Sequence, residues 1–279
     1  YESITGQINA EFKKPEAKEK FFFNYYLNDA GRHEFNINAA ADLNKKISTI
    51  LLGHFSFNET EIDHNNDGFM DLNTGRQINA ANFWQYINPK GLEMRWGVRL
   101  LDETRSGGQI TGSPYFIVSP EGLWKSEISN RRAEAFVKTG YIFKNRPGTS
   151  FGFINSFSVH ELDMLFGSKT YSGLQKSFYS NFIFHSDFKD TKHQYDAGFN
   201  FIYDNVTEQL IDSSWNTEEM VPGVFFQYTY TLPEKITVMA GLREDYNNRF
   251  GLLTTPRLHV KYHINEKTTL RASAGMGYR

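Results

Sequence analysis

The stretch that decides the fold is LEMRWGVRLLDE, residues 92–103, in which apolar and charged side chains alternate. The apolar positions are Leu92, Met94, Trp96, Val98 and Leu100. The positions between them include Glu93, Arg95 and Arg99. Because successive side chains of a β-strand point to opposite faces of the sheet, this stretch predicts a strand with one apolar and one charged face.

The same period of two recurs along the chain from Lys20 onward. It is clearest in 34–43, 195–203, 236–242 and 270–278, and no segment sustains an apolar stripe at helical spacing. We therefore predict an all-β protein. Its thirteen strands are expected near 20–28, 33–43, 46–57, 76–88, 92–103, 130–144, 149–160, 175–187, 193–204, 223–232, 235–246, 255–263 and 267–279.

Two classes of connector alternate between these strands. Short segments rich in Asn, Asp, Pro and Gly have the composition of tight turns; they are 44–45, 88–91, 145–148, 188–191, 233–234 and 264–266. Longer connectors lie near 58–75, 104–129, 161–174, 205–222 and 247–254. Short connectors at one end and long connectors at the other predict an antiparallel up-and-down meander.

Composition excludes several classes of protein. The chain has 279 residues, with 30 Lys and Arg against 32 Asp and Glu, so its charge gives no reason to expect a nucleic-acid partner. It has no Cys, which excludes disulfides, a thiol nucleophile and Cys-ligated zinc. No apolar run approaches the roughly 18 residues that a membrane-spanning helix needs.

Two architectures fit the alternation. Outer-membrane barrels have short periplasmic turns and long external loops, and a tilted strand of about 10 residues covers their apolar band of about 25 Å. Since Lys or Arg facing lipid at midplane costs about 2–4 kcal/mol, a barrel would turn four arginines toward its lumen; they are Arg95, Arg99, Arg243 and Arg271. The alternative is a soluble β-sandwich, whose apolar faces pack inward.

Several stretches, taken in order, carry a resemblance to a known family. They are 3–9, 66–71 with 75–77, 221–225, 240–243, 255–258 and 268–275. They resemble TonB-dependent outer-membrane receptors, particularly those of Bacteroidota. Residues 3–9 followed by 11–15 look like the last strand of the family's plug domain. The resemblance therefore implies that 1–15 are the end of a plug and that 16–279 are the N-terminal, incomplete part of the barrel, about 13 of 22 strands.

The resemblance also implies a function. Such a receptor lies in the cell outer membrane and takes up a scarce nutrient, such as a siderophore-iron complex or cobalamin. Its expected partners are outer-membrane lipid, a small-molecule or metal-chelate ligand, and TonB, which it would contact through the plug region that is absent here. No nucleic acid is expected. The alternatives are an extracellular β-rich binding or adhesion module and an outer-membrane barrel hydrolase.

The segment 63–71, DHNNDGFMD, is a candidate calcium loop. It has the spacing of an EF-hand loop, with side-chain oxygens at positions 1, 3, 5 and 9 and a backbone carbonyl at position 7; the corresponding residues are Asp63, Asn65, Asp67, Asp71 and Phe69. The bidentate Glu of position 12 is missing, because Thr74 stands there. The alternative is an Asx-rich turn that needs no ion.

A basic ladder is expected near the C-terminus, where Arg257, His259, Lys261 and His263 would share one strand face. The two histidines would lie about 13 Å apart and could not bind one metal ion. The ladder is either a polar inner wall or a surface for an anionic substrate.

Eight rings are expected to face lipid or its interface; they are Phe21, Phe22, Phe23, Tyr25, Tyr26, Trp84, Tyr86 and Trp96.

No catalytic motif is present in the sequence, and an enzyme is not expected. Glu93 with Asp102 or Glu103 is the one acid/base pair that could be proposed, and no spacing ties it to a Ser or His nucleophile.

Thirteen strands are an odd number, which predicts that the sheet is not closed by these strands alone. A last strand at 268–279 would expose unpaired backbone groups, so further strands or neighbouring chains are expected to complete the sheet.

Overall fold

A computed structural model describes residues 13–16, 19–110, 122–188 and 190–278. These residues form one sheet of 13 strands in sequence order, with every neighbouring pair antiparallel. The all-β, up-and-down prediction is therefore confirmed, and the sandwich alternative, which needs two stacked sheets, is wrong. Among the described residues, no helix is long and apolar enough to cross a membrane.

The strands of the sheet are longer in its middle than at its sides. Their bounds are β1 Phe21–Leu27, β2 His33–Asp42, β3 Ile47–Asn58, β4 Thr74–Ile87, β5 Leu92–Gly108, β6 Lys125–Ile142, β7 Ser150–Phe166, β8 Lys169–Asp187, β9 His193–Leu210, β10 Ser213–Leu232, β11 Ile236–Asn247, β12 Gly251–Asn265 and β13 Thr268–Gly275. Within the described chain, β1 and β13 form the two edges of the sheet.

The connectors alternate between two ends of the sheet. The turn end carries the connectors 43–46, 88–91, 143–149, 188–192, 233–235 and 266–267, and the loop end carries all the others. Two long connectors lie at the loop end as expected, 59–73 and 109–124. The other three long connectors are a correction, because their residues belong mainly to strands.

The corrected connectors are hairpins. β7 and β8 meet at the two residues 167–168, β9 and β10 at 211–212, and β11 and β12 at 248–250. The turn residues Gly167 and Ile211 have positive φ values of 61° and 57°. Positive φ in a two-residue turn matches the twist of the flanking strands, so these hairpins continue the sheet without a loop.

The cross-strand register defines two faces, which we call inner and outer. The inner face contains Arg95 and the outer face contains Trp96. The register carries Arg99, Arg243 and Arg271 to the same face as Arg95, as predicted. Polar and charged side chains that cannot face lipid are thus collected on one side.

The outer face holds an apolar band rich in aromatic rings. On β5 this band runs from Leu92 to Leu100, about 26 Å of strand, or about 20 Å along the membrane normal at a tilt near 40°. Trp84 and Trp96 stack across β4 and β5 with ring centroids 6.1 Å apart. Phe182 and Phe199 stack similarly at 5.4 Å. At about 20 Å the band on β5 is somewhat shorter than the roughly 25 Å apolar band of outer-membrane barrels, and it has the composition of a lipid-facing surface.

Two of the eight rings expected to face lipid lie on the inner face, which corrects that prediction. Phe22 pairs with Asn38 and Tyr26 with Glu34, so strand alternation turns both rings inward. The run Phe21-Phe22-Phe23 hides this alternation in the sequence, because all three residues are aromatic. Lys13 Nζ lies 4.7 Å from the centre of the Phe22 ring.

Residues 13–16, which precede β1 in the sequence, lie against the inner face. Lys13 lies over Phe22, and Glu16 lies 3.8 Å from Arg95 on β5. Both contacts are made on the polar side of the sheet. The predicted plug boundary at 15 and 16 falls within this segment and stays a prediction, while residues 1–12 lie outside the described residues.

The best-packed part of the sheet is on the inner face near the turn end. Ile50 and Phe83 are the buried apolar side chains among the described residues, with 1% and 8% of their surface exposed. Phe83 lies beside Gly97, where a Cβ atom would come within 2.5 Å of the Phe83 ring. The glycine therefore makes the room that this ring needs.

Candidate functional site

The inner face at the loop end contains a polar cavity of about 390 Å³. Its lining includes Asn58, which is buried and donates a hydrogen bond to the Asn73 carbonyl at 3.2 Å. Arg105 and Glu103 on β5 also line it and form an ion pair. Connector 59–73 bounds the cavity at Asn73, so the cavity combines wall residues with loop residues. Amide and guanidinium groups make it suitable for a polar or anionic solute.

A second inner cavity, of about 460 Å³, lies farther from the loop end and is lined on one side by Glu134. The Glu134 carboxylate accepts from Arg99 Nη2 and Arg132 Nη2, both at 2.5 Å. His54 and Asn36, which also line the cavity, are joined by a hydrogen bond of 2.8 Å. One carboxylate thus holds two arginines against the wall, which fixes the position of both guanidinium groups.

A third group is nearly closed to water. Arg243 binds both carboxylate oxygens of Asp245, at 2.7 and 3.0 Å, and also donates to Asn200. Asp245 and Asn200 are each 3% exposed. Gly223 lies opposite Asp245, where a Cβ atom would collide with the carboxylate. The cluster ties β9, β10 and β11 together on the inner face.

Sequence reasoning singled out Arg99 and Arg243 but not the other members of their two clusters. Arg132 and Glu134 are two residues apart on the strand that faces Arg99, so alternation could have placed all three together. Asn200 and Arg243 are 43 positions apart, and no local pattern links them. Only the register of the sheet brings them into contact.

The inner face of β8 to β10 carries a further pair near the loop end. The Tyr171 hydroxyl donates to Glu208 at 2.8 Å. This hydrogen bond, with desolvation and the Glu208 charge, raises the pKa of Tyr171 above its usual value of 10.0. Trp215 lies directly opposite Glu208 on β10 and is half exposed. The Trp215 ring therefore lies beside the Glu208 carboxylate at the loop end of the inner face.

The candidate calcium loop closes on itself through Asx-type hydrogen bonds. Asp63 accepts from the backbone N–H groups of Asp67 and Gly68 at 3.1 and 2.9 Å. Asp67 accepts from Phe69 N at 2.8 Å, and Asp71 accepts from His64 N at 2.8 Å.

The loop is attached to the sheet but not arranged around a common centre. Phe69 forms a bridge with Gln109, and Met70 N donates to the Gly108 carbonyl at 2.9 Å. Among the described residues, no group of three or more His, Asp or Glu could hold a metal ion. Calcium binding by Asp63, Asn65, Asp67, Phe69 and Asp71 stays a prediction.

The other residues singled out from the sequence fall into two groups. Arg257, His259, Lys261 and His263 all lie on the inner face of β12, as expected for a ladder. The carboxylates considered for catalysis do not form a pair. Glu93 and Glu103 share the inner face of β5 but lie about 33 Å apart along the strand. Asp102 lies on the outer face.

The fold is similar to that of several solved outer-membrane receptors and transporters. The alcaligin outer-membrane receptor FauA from Bordetella pertussis superimposes with a TM-score of 0.70 at 14% identity, over 90% of this chain and 42% of FauA. Pseudomonas aeruginosa FpvA bound to heterologous pyoverdines gives 0.68 at 9% identity, over 91% and 41%. The outer-membrane transporter YddB from Escherichia coli gives 0.62 at 10% identity, over 84% and 36%.

These similarities show the fold alone, and the chain spans about two fifths of the length of the structures it matches. No curated protein matches the chain. The family model described as TonB-dependent receptor-like β-barrel matches residues 13–279, nearly the whole chain. The chain therefore belongs to the TonB-dependent receptor β-barrel family.

Proposed function

We propose that this chain forms part of the barrel wall of an outer-membrane receptor that imports a siderophore-iron complex. The observation that carries the proposal is the two-faced sheet. Its outer face has an apolar, aromatic band about 20 Å high, and at the level of that band the charged side chains lie on the inner face. Such a wall separates lipid from an aqueous interior through which a polar solute can pass.

The orientation in the outer membrane is part of the proposal. The turn end lies in the periplasm and the loop end lies outside the cell. Beyond the apolar band at the loop end, the outer face becomes charged. Arg131 there lies 3.2 Å from Glu161 and 3.7 Å from Asp163. A strand surface that carries ion pairs on its outer face belongs in water or at the headgroups, not in the hydrocarbon layer.

The ligand class rests on the similar structures and on the inner wall. FauA is a receptor for alcaligin, and FpvA is found in a complex with a pyoverdine and iron. The arginine-lined inner cavities suit an anionic metal chelate better than a neutral ligand. We therefore place a siderophore-iron complex ahead of cobalamin.

The partners follow from the same proposal. Outer-membrane lipid covers the apolar band, and TonB supplies energy through a plug whose last residues are 1–15. The Bacteroidota origin suggested by the sequence motifs remains part of the proposal.

The test uses the full-length receptor in its own bacterium. Deleting its gene should abolish uptake of one radiolabelled ferric siderophore from a panel and leave cobalamin uptake unchanged. Restoring the gene should restore uptake, but not in a strain that lacks TonB. Loss of cobalamin uptake alone would overturn the proposed ligand class. Recovery of the receptor in the soluble fraction rather than the outer membrane would overturn the proposal as a whole.

A further inference from the structure

Three positions lie side by side across β8, β9 and β10, on the inner face near the loop end. Gly173 lies opposite Glu208, and Glu208 lies opposite Trp215. Each of these strands has a neighbouring strand on both sides, so the row lies within the sheet and not at an edge. Directly opposite residues have Cβ atoms about 4.5–5.5 Å apart. The Trp215 ring and the Glu208 carboxylate are therefore within reach of the same small group.

Gly173 makes room for a second aromatic ring in this row. A Cβ atom at this position would lie 2.8 Å from the Tyr171 hydroxyl oxygen and 3.2 Å from two carbon atoms of the Tyr171 ring. The ring therefore lies against Gly173, and from there its hydroxyl donates to Glu208 at 2.8 Å. The Glu208 carboxylate is thus flanked by a tyrosine on one side and a tryptophan on the other.

Contact with lipid does not explain these two rings. Tyr171 and Trp215 lie on the inner face, whereas the rings of the apolar band lie on the outer face. Trp215 is 50% exposed, and Tyr171 and Glu208 are partly exposed. Two accessible rings beside a carboxylate, on the polar side of the wall, have the composition of a binding site for a cation.

Negative charge predominates on the inner face of β8, β9 and β10. Besides His185, the charged side chains there are five carboxylates and one lysine; they are Asp187, Asp196, Asp204, Glu208, Glu219 and Lys169. Asp204 and Glu219 lie directly opposite each other, about 13 Å from the row along the same two strands. Gln175 donates to Asp204 at 3.1 Å, and Asn247 donates to Glu219 at 2.5 Å. Neutral donors fix a carboxylate without removing its charge, so this part of the wall attracts cations.

We propose that Tyr171, Glu208 and Trp215 bind an alkylammonium group that belongs to the imported solute. Ammonium ions are attracted to the faces of aromatic rings and to carboxylates. The two rings lie on β8 and β10, whose axes are about 10 Å apart, with the carboxylate between them. An ammonium group placed above the carboxylate therefore contacts all three side chains.

The inference deepens the proposed function, on which it rests for the access of solutes to the inner face. The arginines that line the second cavity, Arg99 and Arg132, lie on β5 and β6, away from this acidic and aromatic row. The wall thus offers separate places to an anionic and a cationic part of one solute. The imported chelate then carries an ammonium group beside its anionic part.

The test measures binding to the purified full-length receptor in detergent at low salt. The probes are choline and dimethylbutanol, the uncharged carbon analogue of choline, which has the same shape. The receptor is labelled with fluorotryptophan, and the Trp215 signal in the fluorine NMR spectrum is identified by its loss in Trp215→Phe. Choline should shift this signal saturably. Dimethylbutanol should bind at least about tenfold more weakly, because it lacks the charge that the rings and the carboxylate recognise.

Two variants with the same loss of charge provide the matched comparison. Glu208→Gln should weaken choline binding at least about tenfold, although its amide oxygen still accepts from Tyr171. Glu218→Gln, on the outer face of β10, should change choline binding less than about twofold. Both variants should keep the folded gel mobility of the parent receptor.

Three results would each overturn the proposal. They are a Trp215 signal that choline does not move, equal binding of choline and dimethylbutanol, and equal choline binding by the parent and Glu208→Gln. The comparison of the two probes uses the unaltered receptor, so it does not depend on the folding of a variant. No iron uptake is measured, so a failure here is distinguishable from a failure of the proposed transport.

Discussion

Glu134 is the residue that organises the inner wall of β5 and β6. It is mostly buried and accepts hydrogen bonds from Arg99 and Arg132. We expect Glu134→Gln to destabilise the full-length receptor by about 1.5–3 kcal/mol, the usual contribution of a hydrogen bond to a charged group. The measurement is the temperature at which the receptor loses its folded mobility on gels.

The matched control is Glu127→Gln on the same strand. Glu127 is exposed and on the outer face. Removing its charge should change stability by less than about 0.5 kcal/mol, as is usual for surface positions. Equal losses in the two variants would show that the contacts of Glu134 with the arginines add nothing.

The loop 63–71 gives a second prediction at the scale of single residues. If it binds calcium, chelation should raise hydrogen exchange in 58–75. Asp67→Ala should have the same effect, because the loop would lose both an ion ligand and the hydrogen bond from Phe69 N to the Asp67 carboxylate. The control is Asp190→Ala, which removes a similar Asx-type bond to Lys192 N from a tight turn. Exchange that is equal with and without calcium would leave only the Asx-turn interpretation.

At the scale of strands, the orientation can be tested by labelling, because the chain has no native cysteine. Cysteines at Asn66 and at Asp212, in the hairpin turn 211–212, should react with an impermeant thiol reagent on intact cells. A cysteine at Lys90, at the turn end, should react only after the outer membrane is opened. Labelling at Lys90 alone would reverse the orientation.

The strands could be predicted where lipid imposes a pattern and not beyond it. Within the apolar band, one face must be apolar, so alternation marks the strands clearly. Between the band and the loop end both faces meet water. Segments there, such as 205–219, lose the alternation of apolar and polar residues although they continue β9 and β10. The hairpin at Ile211 also lacks the glycine that usually marks such turns. The same limit applies to Asn200, because its partner Arg243 lies 43 positions along the chain and two strands away in the sheet.

For the whole molecule, the proposed function requires one face of the sheet to meet lipid and the other to meet water. Leu51 and Leu52 test this requirement with adjacent, identical residues. Leu51 pairs with Asn82 on the outer face and is 46% exposed, and Leu52 pairs with Ala81 on the inner face. Leu51 also lies midway along β3, near the centre of the band. An exposed leucine at that depth is explained by contact with hydrocarbon.

We expect Leu51→Arg to destabilise the receptor by about 2–4 kcal/mol, the cost of a cation on the lipid face near midplane. Leu52→Arg should cost less, because its guanidinium enters a wall that already holds Arg99, Arg132 and Glu134. The two variants are compared by their yield in the outer membrane and by the temperature at which the folded gel mobility is lost. A larger loss of stability for Leu52→Arg would mean that the inner face, and not the outer face, meets lipid. The cations on Arg95's side would then face lipid, which the cost of burying them in hydrocarbon makes untenable for a membrane wall.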